Sequence, residues 1–216
     1  MKRHTLASLL IAATGLLNLT ACDEDTAIAP SYRTDWVELL TNNNGAVDRM
    51  VRDNGDTLFV NNPRYGFGPD TLYRYLATYT ADEGQRNRVR IYGLSPILLL
   101  QPMQNEDESV ISDPVIPLSI WRGGNYLNLR LKIRTRNQGH YFGLVYDAIG
   151  IYPDGRRTLF LTLFHHRNGD PESFSRQVDL SCPLDWVEGK LQRGRDSILL
   201  RLNSETEGIK SYTLPY

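Results

Sequence analysis

Histidine and acidic residues are the side chains in this sequence of 216 residues whose types would suit catalysis or metal binding. His165 and His166 are adjacent, so on a strand they point to opposite faces and cannot bind one metal together. His140 is isolated in sequence, and the three acids at residues 106–108 are typical of a solvated run. The sequence also lacks Gly-X-Ser-X-Gly, His-Glu-X-X-His and phosphate-cradling motifs. We therefore predict no catalytic residue, no metal site and no cofactor.

An aromatic strand near residue 75 is the more suggestive feature. Tyr73, Tyr75 and Tyr79 share one strand face, while Arg74 lies on the other and is expected to resist burial. Either the tyrosine face is the interior of a barrel, or it is an exposed platform that stacks on sugars. In the second case, nearby guanidinium groups would supply hydrogen bonds, namely those of Arg74, Arg86, Arg88 and Arg90. Periodicity slightly favours the tyrosine face as outward at its ends and leaves both alternatives open.

The N-terminus has the pattern of an export signal. A basic start at residues 2–4 precedes twelve mostly apolar residues, 6–17, which are too few for the roughly 20 that span a bilayer. The sequence Leu19-Thr20-Ala21-Cys22 resembles the lipobox of bacterial lipoproteins. That resemblance implies cleavage between Ala21 and Cys22 and acylation of Cys22, which would anchor the chain in a membrane. The alternative is an ordinary secretory signal with a chance cysteine.

The residues that follow, 22–31, are predicted to form an acidic tether. Asp23, Glu24 and Asp25 precede a run of small residues with a proline. They resemble the acidic export signal that some Gram-negative gut bacteria use to send lipoproteins to the cell surface. We therefore expect a lipid-anchored protein of the outer membrane or cell surface, with a spacer of no sorting role as the alternative.

Removal of the signal leaves 195 residues, 22 of them basic and 25 acidic, because Lys2 and Arg3 are lost from the 24 Lys and Arg of the full chain. A net charge of −3 gives no electrostatic footprint for nucleic acid. Hydrophobic residues make up 41% and charged residues 23%, which excludes wholesale disorder and a polytopic membrane protein. Cys182 is the other cysteine; it has no intramolecular partner once Cys22 is acylated, and we expect it to be buried.

The hydrophobic pattern alternates along the chain and predicts an all-β protein. About five strands precede residue 101, and Asp53-Asn54-Gly55-Asp56 is a strong hairpin signal between two of them. This count suits a small barrel over residues 32–104. The acidic stretch 101–109 breaks the pattern and is the predicted domain boundary.

Seven further strands with frequent turns predict a β-sandwich over residues 105–216. The strands are expected at 115–121, 126–134, 140–148, 158–165, 174–180, 197–202 and 209–214. Residues 185–192 are a candidate for one short helix.

Three stretches resemble the NigD-like lipoproteins. The most specific is residues 113–128, where Asp-Pro-Val leads to Trp121, a Gly-Gly turn and Tyr-Leu-Asn. Residues 53–60 match the family's early hairpin, and residues 165–170 are similar to its His-Asn-X-X-Asp stretch with different spacing. The resemblance implies an OB-like barrel followed by a β-sandwich, and it implies little about function.

Two classes of function remain open. The first is a non-catalytic binding or accessory lipoprotein whose ligand is a glycan, a peptide or another envelope protein. The second is an envelope hydrolase whose site is assembled from scattered residues. Bacteriocin immunity is a third possibility, which rests on the name of the family alone. A shallow aromatic groove would favour the binding protein, and a deep pocket with clustered carboxylates or histidines would favour the enzyme.

Overall fold

The computed structural model describes residues 31–82, 84–104 and 112–216, whose regular secondary structure is almost entirely β-strand. The predicted signal peptide and most of the predicted tether lie outside these residues. No helix in the described part of the chain is long and apolar enough to cross a membrane. The strands are β1 Arg33–Thr41, β2 Val47–Arg52, β3 Thr57–Arg64, β4 Leu72–Asp82, β5 Gln85–Pro96, β6 Leu98–Leu99, β7 Pro102–Gln104, β8 Ile116–Gly123, β9 Tyr126–Thr135, β10 Tyr141–Ile151, β11 Arg157–His166, β12 Phe174–Pro183, β13 Ser197–Ser204 and β14 Gly208–Pro215.

The first five strands form a closed barrel in the order β1-β2-β3-β5-β4, with β3 and β5 parallel and β4 returning to β1. This closed five-stranded arrangement confirms the predicted OB-like barrel. Alternate residues of each strand point inward, so the interior is filled by side chains. These are Val37, Leu39, Val47, Met50, Leu58, Val60, Ala77, Tyr79, Val89 and Ile91.

The hairpin between β2 and β3 confirms the prediction from Asn54-Gly55, although its turn is longer than two residues. Arg52 and Asp56 still pair through their backbones, which leaves a loop of residues 53–55. Gly55 has a φ of +90°, as the last residue of a three-residue hairpin loop requires. The Asp53 side chain lies at the tip of this hairpin.

The remaining strands form a β-sandwich of two sheets. One sheet has the order β14-β13-β11-β10-β7 and the other β6-β12-β9-β8. The seven strands predicted beyond the boundary are β8 to β14. Their inward leucines and isoleucines form one core that also contains Cys182, which is fully buried as expected. Burial raises the pKa of the Cys182 thiol to about 12. The predicted helix is a single 3₁₀ turn, Asp185–Val187.

The sandwich begins earlier than the predicted boundary between residues 104 and 105. The short strands β6 and β7 pair in parallel with β12 and β10 respectively, so both belong to the sandwich sheets. The chain therefore passes from barrel to sandwich at Pro96 and Ile97. Most of the stretch 101–109 that was predicted as a linker lies outside the described residues. Residues 31–216 form one compact unit.

Candidate functional site

The junction between barrel and sandwich is built around Arg74, whose side chain has no exposed surface. Arg74 lies on the outer side of β4 and donates to the Asp53 carboxylate, with a shortest distance of 2.7 Å. It also donates to Asn128 Oδ1 at 3.2 Å and to Ser181 Oγ at 3.4 Å. Its guanidinium lies 4.1 Å from the centre of the Tyr126 ring. These partners come from the barrel hairpin and from two sandwich strands, so one buried cation joins both parts.

Aromatic residues complete the junction. Trp36 of β1 and Trp121 of β8 meet edge to face with their ring centres 4.8 Å apart. Tyr126 of β9 is hydrogen bonded to Glu38 of β1, and burial together with this bond raises the pKa of the Tyr126 hydroxyl. Trp121, Tyr126 and Asn128 belong to the stretch that carries the family resemblance. The structure places all three in the contact between barrel and sandwich.

The Gly-Gly turn of that stretch makes room for the barrel hairpin. A Cβ atom on Gly123 would lie 2.3 Å from Oδ2 of Asp53, and one on Gly124 would lie 3.1 Å from the Asp53 backbone oxygen. Asn128 Nδ2 donates to the same Oδ2 at 3.0 Å. Two stretches that carry the family resemblance, the Asp53 hairpin and residues 121–128, therefore fit against each other.

The expectation that Arg74 resists burial is wrong, as is its assignment to a binding face. A guanidinium is buried when it is paired and hydrogen bonded, and Arg74 has these partners. They lie 21, 54 and 107 residues away in the chain, so strand periodicity does not reveal them.

The tyrosine side of β4 faces the barrel interior and forms no exposed platform. Tyr79 is 2% exposed and donates to Asp35, and burial followed by this bond raises its pKa to about 12. Tyr73 and Tyr75 are half-buried and pack against the barrel core with Phe67. Of the two alternatives that the sequence left open, the structure supports the one in which the tyrosines face the barrel interior.

The exposed aromatic and basic residues of the barrel lie on another part of its surface. The outward side chains of β2, β3 and β5 form what we call the barrel face, consisting of Arg49, Phe59, Asn61, Arg88, Arg90 and Tyr92. Arg49 pairs in register with Phe59, and Phe59 with Arg88, so the three form a row across three strands. Phe59 is 40% exposed and Tyr92 is 49% exposed.

The alternation of residue types along β3 and β5 is a local sequence signal for this face. Phe59 alternates with the buried Leu58 and Val60, and Arg88 and Arg90 alternate with buried Val89. Arg88 and Arg90 thus remain in a candidate site, whereas the three tyrosines and Arg74 do not. The Arg86 side chain lies outside the described part of the structure.

Two open grooves flank the Asp53 hairpin at the junction. One has a volume of about 340 Å³ and is walled by Trp36 and Trp121, with Asp35 and Arg52 opposite. The other, of about 310 Å³, lies between Glu38, Tyr126 and Arg193. Both share Arg52, Asp53 and Asn54. Aromatic and polar side chains line both grooves.

A buried chain of histidines lies within the sandwich. His165 Nδ1 lies 3.2 Å from the Asp113 carbonyl oxygen, and its Nε2 lies 2.8 Å from His140 Nδ1. His140 Nε2 lies 3.1 Å from the Asp170 carboxylate. His140, which is isolated in sequence, directly precedes β10, and the pairing of β10 with β11 brings it beside His165.

The two ends of this histidine chain are hydrogen-bond acceptors. The carbonyl and the carboxylate at its two ends only accept, so three bonds need three N–H groups, whereas two neutral imidazoles have two. The tautomers of the two rings therefore decide which of the three contacts are hydrogen bonds. Burial lowers the pKa of His165, consistent with a neutral ring there. Among the described residues, no three His, Cys, Asp or Glu converge to hold a metal ion.

A third open groove, of about 580 Å³, lies beside this chain. It is lined by Pro96, Leu98, Phe142, Val178 and Leu180, and by the polar residues Ser95, His140, Arg176, Gln177 and Asp179. Only an edge of His140 reaches it, because that side chain is 1% exposed. The histidine is thus engaged in the buried chain rather than presented to a ligand.

The predicted lipidation and sorting residues cannot be placed. Ala21, Cys22, Asp23, Glu24 and Asp25 all lie outside the described residues. Their roles remain predictions from the sequence.

Comparison with known proteins identifies similarity over most of the chain. A family model described as the NigD-like C-terminal beta sandwich domain matches residues 96–216. Its start agrees with the junction at Pro96 rather than with residue 105. No curated protein matches the chain.

Three solved structures share the fold. A NigD-like immunity protein from Bacteroides caccae ATCC 43185 is 24% identical, with 85% of this chain and 92% of that chain covered and a TM-score of 0.66. A protein of unknown function from Bacteroides vulgatus ATCC 8482 is 19% identical, with coverage of 85% and 91% and a TM-score of 0.64. A "Putative lipoprotein" from Bacteroides fragilis NCTC 9343 is 14% identical, with coverage of 87% and 98% and a TM-score of 0.65.

Proposed function

Because the chain belongs to the NigD-like family, whose C-terminal sandwich domain it matches over residues 96–216, we propose that it is a non-catalytic binding lipoprotein of the cell envelope that holds a saccharide on its barrel face. The observation that carries this proposal is the exposure of Phe59 and Tyr92 beside Arg88 and Arg90. Exposed aromatic rings offer apolar planes to the faces of sugar rings, and guanidinium groups donate to hydroxyl oxygens. OB-type barrels bind oligosaccharides on such a face.

The position of the sandwich supports this assignment. It covers the outer side of β1 and β4 through Trp36, Glu38 and Arg74. Among the described residues, the side chains of the barrel face on β2, β3 and β5 are exposed. A binding surface on a rigidly held barrel suits a protein that presents a ligand site away from an anchor.

A hydrolase is the less favoured alternative. The polar groups at the junction bond mainly to one another, and His140 and His165 are committed to the buried chain. A catalytic histidine needs a free nitrogen within reach of the group that it activates. A solved structure that is 24% identical to this chain is described as a NigD-like immunity protein. A role in immunity would also be a binding function without catalysis.

The binding proposal is tested with the acylated protein, purified in detergent, on an array of glycans and of peptides. The variant Phe59→Ala/Tyr92→Ala should lose a saccharide ligand of the wild type by about tenfold, since several buried contacts of a stacked ring are removed. Ile151→Ala/Tyr152→Ala is the matched control, because these exposed residues lie on the sandwich. Saccharide binding that survives the first variant, or a wild type that binds only peptides, would contradict the proposal.

Anchoring on Cys22 is tested separately in cells. Cys22→Ser should remove the lipid label and either release the protein from the membrane fraction or leave its signal uncleaved. Changing Asp23, Glu24 and Asp25 to the corresponding amides should keep the anchor and abolish digestion of the protein by protease added to intact cells. A Cys22→Ser variant that is still processed and lipid-labelled would contradict the lipoprotein assignment.

A further inference from the structure

We infer that the groove of about 580 Å³ on the sandwich binds a polypeptide segment in extended conformation, which joins β12 as an additional strand. We call it the edge groove, and its apolar lining consists of Pro96, Leu98, Phe142, Val178 and Leu180. The groove lies on the sandwich, away from the barrel face, so the inference goes beyond the proposed function. Its basis is a strand edge with free backbone groups beside an apolar slot.

The edge groove lies where both sheets of the sandwich end in short strands. β6 pairs with Leu180 and Ser181 of β12, and β7 pairs with residues 144–146 of β10. Within the described chain, residues 174–179 of β12 and 141–143 of β10 therefore have no strand beside them on this side. Both strands contribute side chains to the groove, which is thus a slot between two open sheet edges.

The backbone of β12 offers hydrogen bonds toward this slot. Ser181 accepts a hydrogen bond from the Leu100 N–H at 2.8 Å, on the β6 side of the strand. Successive residues of a strand direct their N–H and C=O groups to alternate sides, and β12 pairs with β9 without a register shift. Asp179, Gln177 and Ser175 therefore direct their backbone groups to the open side. No described group outside the strand bonds to them there.

The protein's own β6 shows how a strand fits this edge. Leu100, which directly follows β6, is 4% exposed and belongs to the sandwich core. Leu98 lies two residues earlier, so it points to the same side, but it lines the groove and is 50% exposed. A strand beside residues 174–179 would cover Leu98 and place its own alternate side chains against Phe142 and Val178.

The spacing of the free groups selects a polypeptide. Backbone groups on one side of a strand repeat every two residues, or about 6.6 Å, which is the repeat of a second strand. In recognition by strand addition, main-chain hydrogen bonds provide affinity, and pockets for alternate side chains provide specificity. The edge groove has both components, whereas a saccharide lacks donors and acceptors at this repeat.

The side chains of β12 indicate which peptide fits. Val178 and Arg176 are two residues apart and line the same groove, and Arg176 is exposed. The Asp179 carboxylate pairs with Arg130 at 2.9 Å, so Asp179 offers its backbone rather than its charge. Because cross-strand neighbours pack against each other, we expect an apolar peptide residue beside Val178 and a polar one beside Arg176.

The probe is a library of acetylated and amidated heptapeptides with Val, Leu or Phe at positions 2, 4 and 6 and Thr, Glu or Lys between them. Binding to the acylated protein in detergent is measured by fluorescence anisotropy. Leu98→Arg, which puts a charge into the slot, should weaken the tightest heptapeptide by about tenfold or more. Leu118→Arg is the matched control, since Leu118 is an exposed leucine on β8, and it should bind like the wild type.

A second comparison tests the backbone hydrogen bonds. The tightest heptapeptide is made in two forms, one N-methylated at positions 3 and 5 and the other at positions 2 and 4. One edge of an added strand faces β12 and the other faces solvent. One form should therefore bind about tenfold or more weakly, because its donors to β12 are lost, and the other should bind like the parent.

The outcomes separate this inference from the proposed function. Equal binding of the two methylated forms overturns strand addition in favour of apolar adsorption, and binding that survives Leu98→Arg places the site elsewhere. Absence of heptapeptide binding overturns the inference, as does a dimer in sedimentation that Leu98→Arg dissociates, which would assign the edge to a second copy. Saccharide binding that depends on Phe59 and Tyr92 should be the same in wild type and Leu98→Arg.

Discussion

The Arg74 guanidinium bonds to residues of both the barrel and the sandwich. The Arg74 side chain is fully buried, whereas that of its partner Asp53 is 21% exposed. Removing one member of a buried ion pair costs about 3 to 5 kcal/mol because the other charge is left without its partner. The partial exposure of Asp53 places the expected cost at the lower end of this range.

We therefore predict that Arg74→Met lowers the free energy of unfolding by about 3 kcal/mol. Asp53→Asn should also lower the free energy of unfolding. The double variant should lose less free energy of unfolding than the sum of the two single losses, because each change removes the same interaction. Urea denaturation followed by tryptophan fluorescence measures all four proteins. Additive effects would show that Arg74 and Asp53 do not interact in solution.

Asp170 organises a loop through its carboxylate. Its Oδ2 accepts hydrogen bonds from the backbone N–H of Arg136 at 2.9 Å and of Gln138 at 3.2 Å, as well as from Thr135 and His140. Burial acts to raise the pKa of this carboxyl, but these bonds outweigh it and lower the pKa to about 2. The last residue of the His-Asn-X-X-Asp stretch thus holds the loop between β9 and β10.

The sign of the pH dependence follows from the lowered pKa. The ionised Asp170 stabilises the fold at every pH above the ordinary value of 3.8, and this contribution is lost as the pH falls toward about 2. Asp170→Asn should therefore have a lower melting temperature than the wild type at pH 7, and the difference should shrink between pH 4 and pH 2. Asp48→Asn, at a partly exposed carboxylate that pairs with Arg49, serves as the control. A difference in melting temperature that stays constant between pH 4 and pH 2 would contradict the lowered pKa of Asp170.

At the scale of elements, the β8–β9 turn and the β2–β3 hairpin have complementary shapes. Gly123 is required because a Cβ there would lie 2.3 Å from Asp53 Oδ2. The carboxylate has little room to move, since Arg74 and Asn128 both hold it.

Gly123→Ala should consequently destabilise the protein by about 1 to 3 kcal/mol, the range for overpacking a close contact. Gly139→Ala is the matched control, because no atom lies within 4 Å of the position of its added Cβ. Thermal denaturation of both variants checks the prediction. Equal stability of the two variants would show that the β2–β3 hairpin and the β8–β9 turn move apart at little cost to accommodate the added Cβ.

The elements themselves were largely predictable because their signals are local. Alternation along β9 and the Asn54-Gly55 turn each lie within about ten residues, and both predictions are confirmed. Strands β6 and β7 were missed as parts of the sandwich because two or three residues carry no alternation. The inward tyrosines of β4 and the joined His140 and His165 depend on partners far along the chain, which a single strand's pattern does not contain.

At the scale of the whole molecule, the junction determines whether barrel and sandwich behave as one body. Linked domains usually move relative to each other unless their interface is extensive and well packed. Here β5 of the barrel is connected to β6 of the sandwich by the single residue Ile97. The N–H of Ile97 donates to the Arg74 carbonyl oxygen at 3.2 Å. Trp36 against Trp121 and Arg74 against Tyr126 add buried contacts on the same side.

We therefore expect the wild-type protein to unfold in one cooperative transition, with the calorimetric enthalpy equal to the van't Hoff enthalpy. Arg74→Met should separate this into two transitions, because the barrel then loses the charged contacts to Asn128 and Ser181 while each hydrophobic core stays intact. Leu72→Ala, an exposed change on the same strand, should keep the single transition. Differential scanning calorimetry of the three proteins makes the comparison, and two transitions in the wild type would show that the barrel and the sandwich fold independently despite the buried arginine between them.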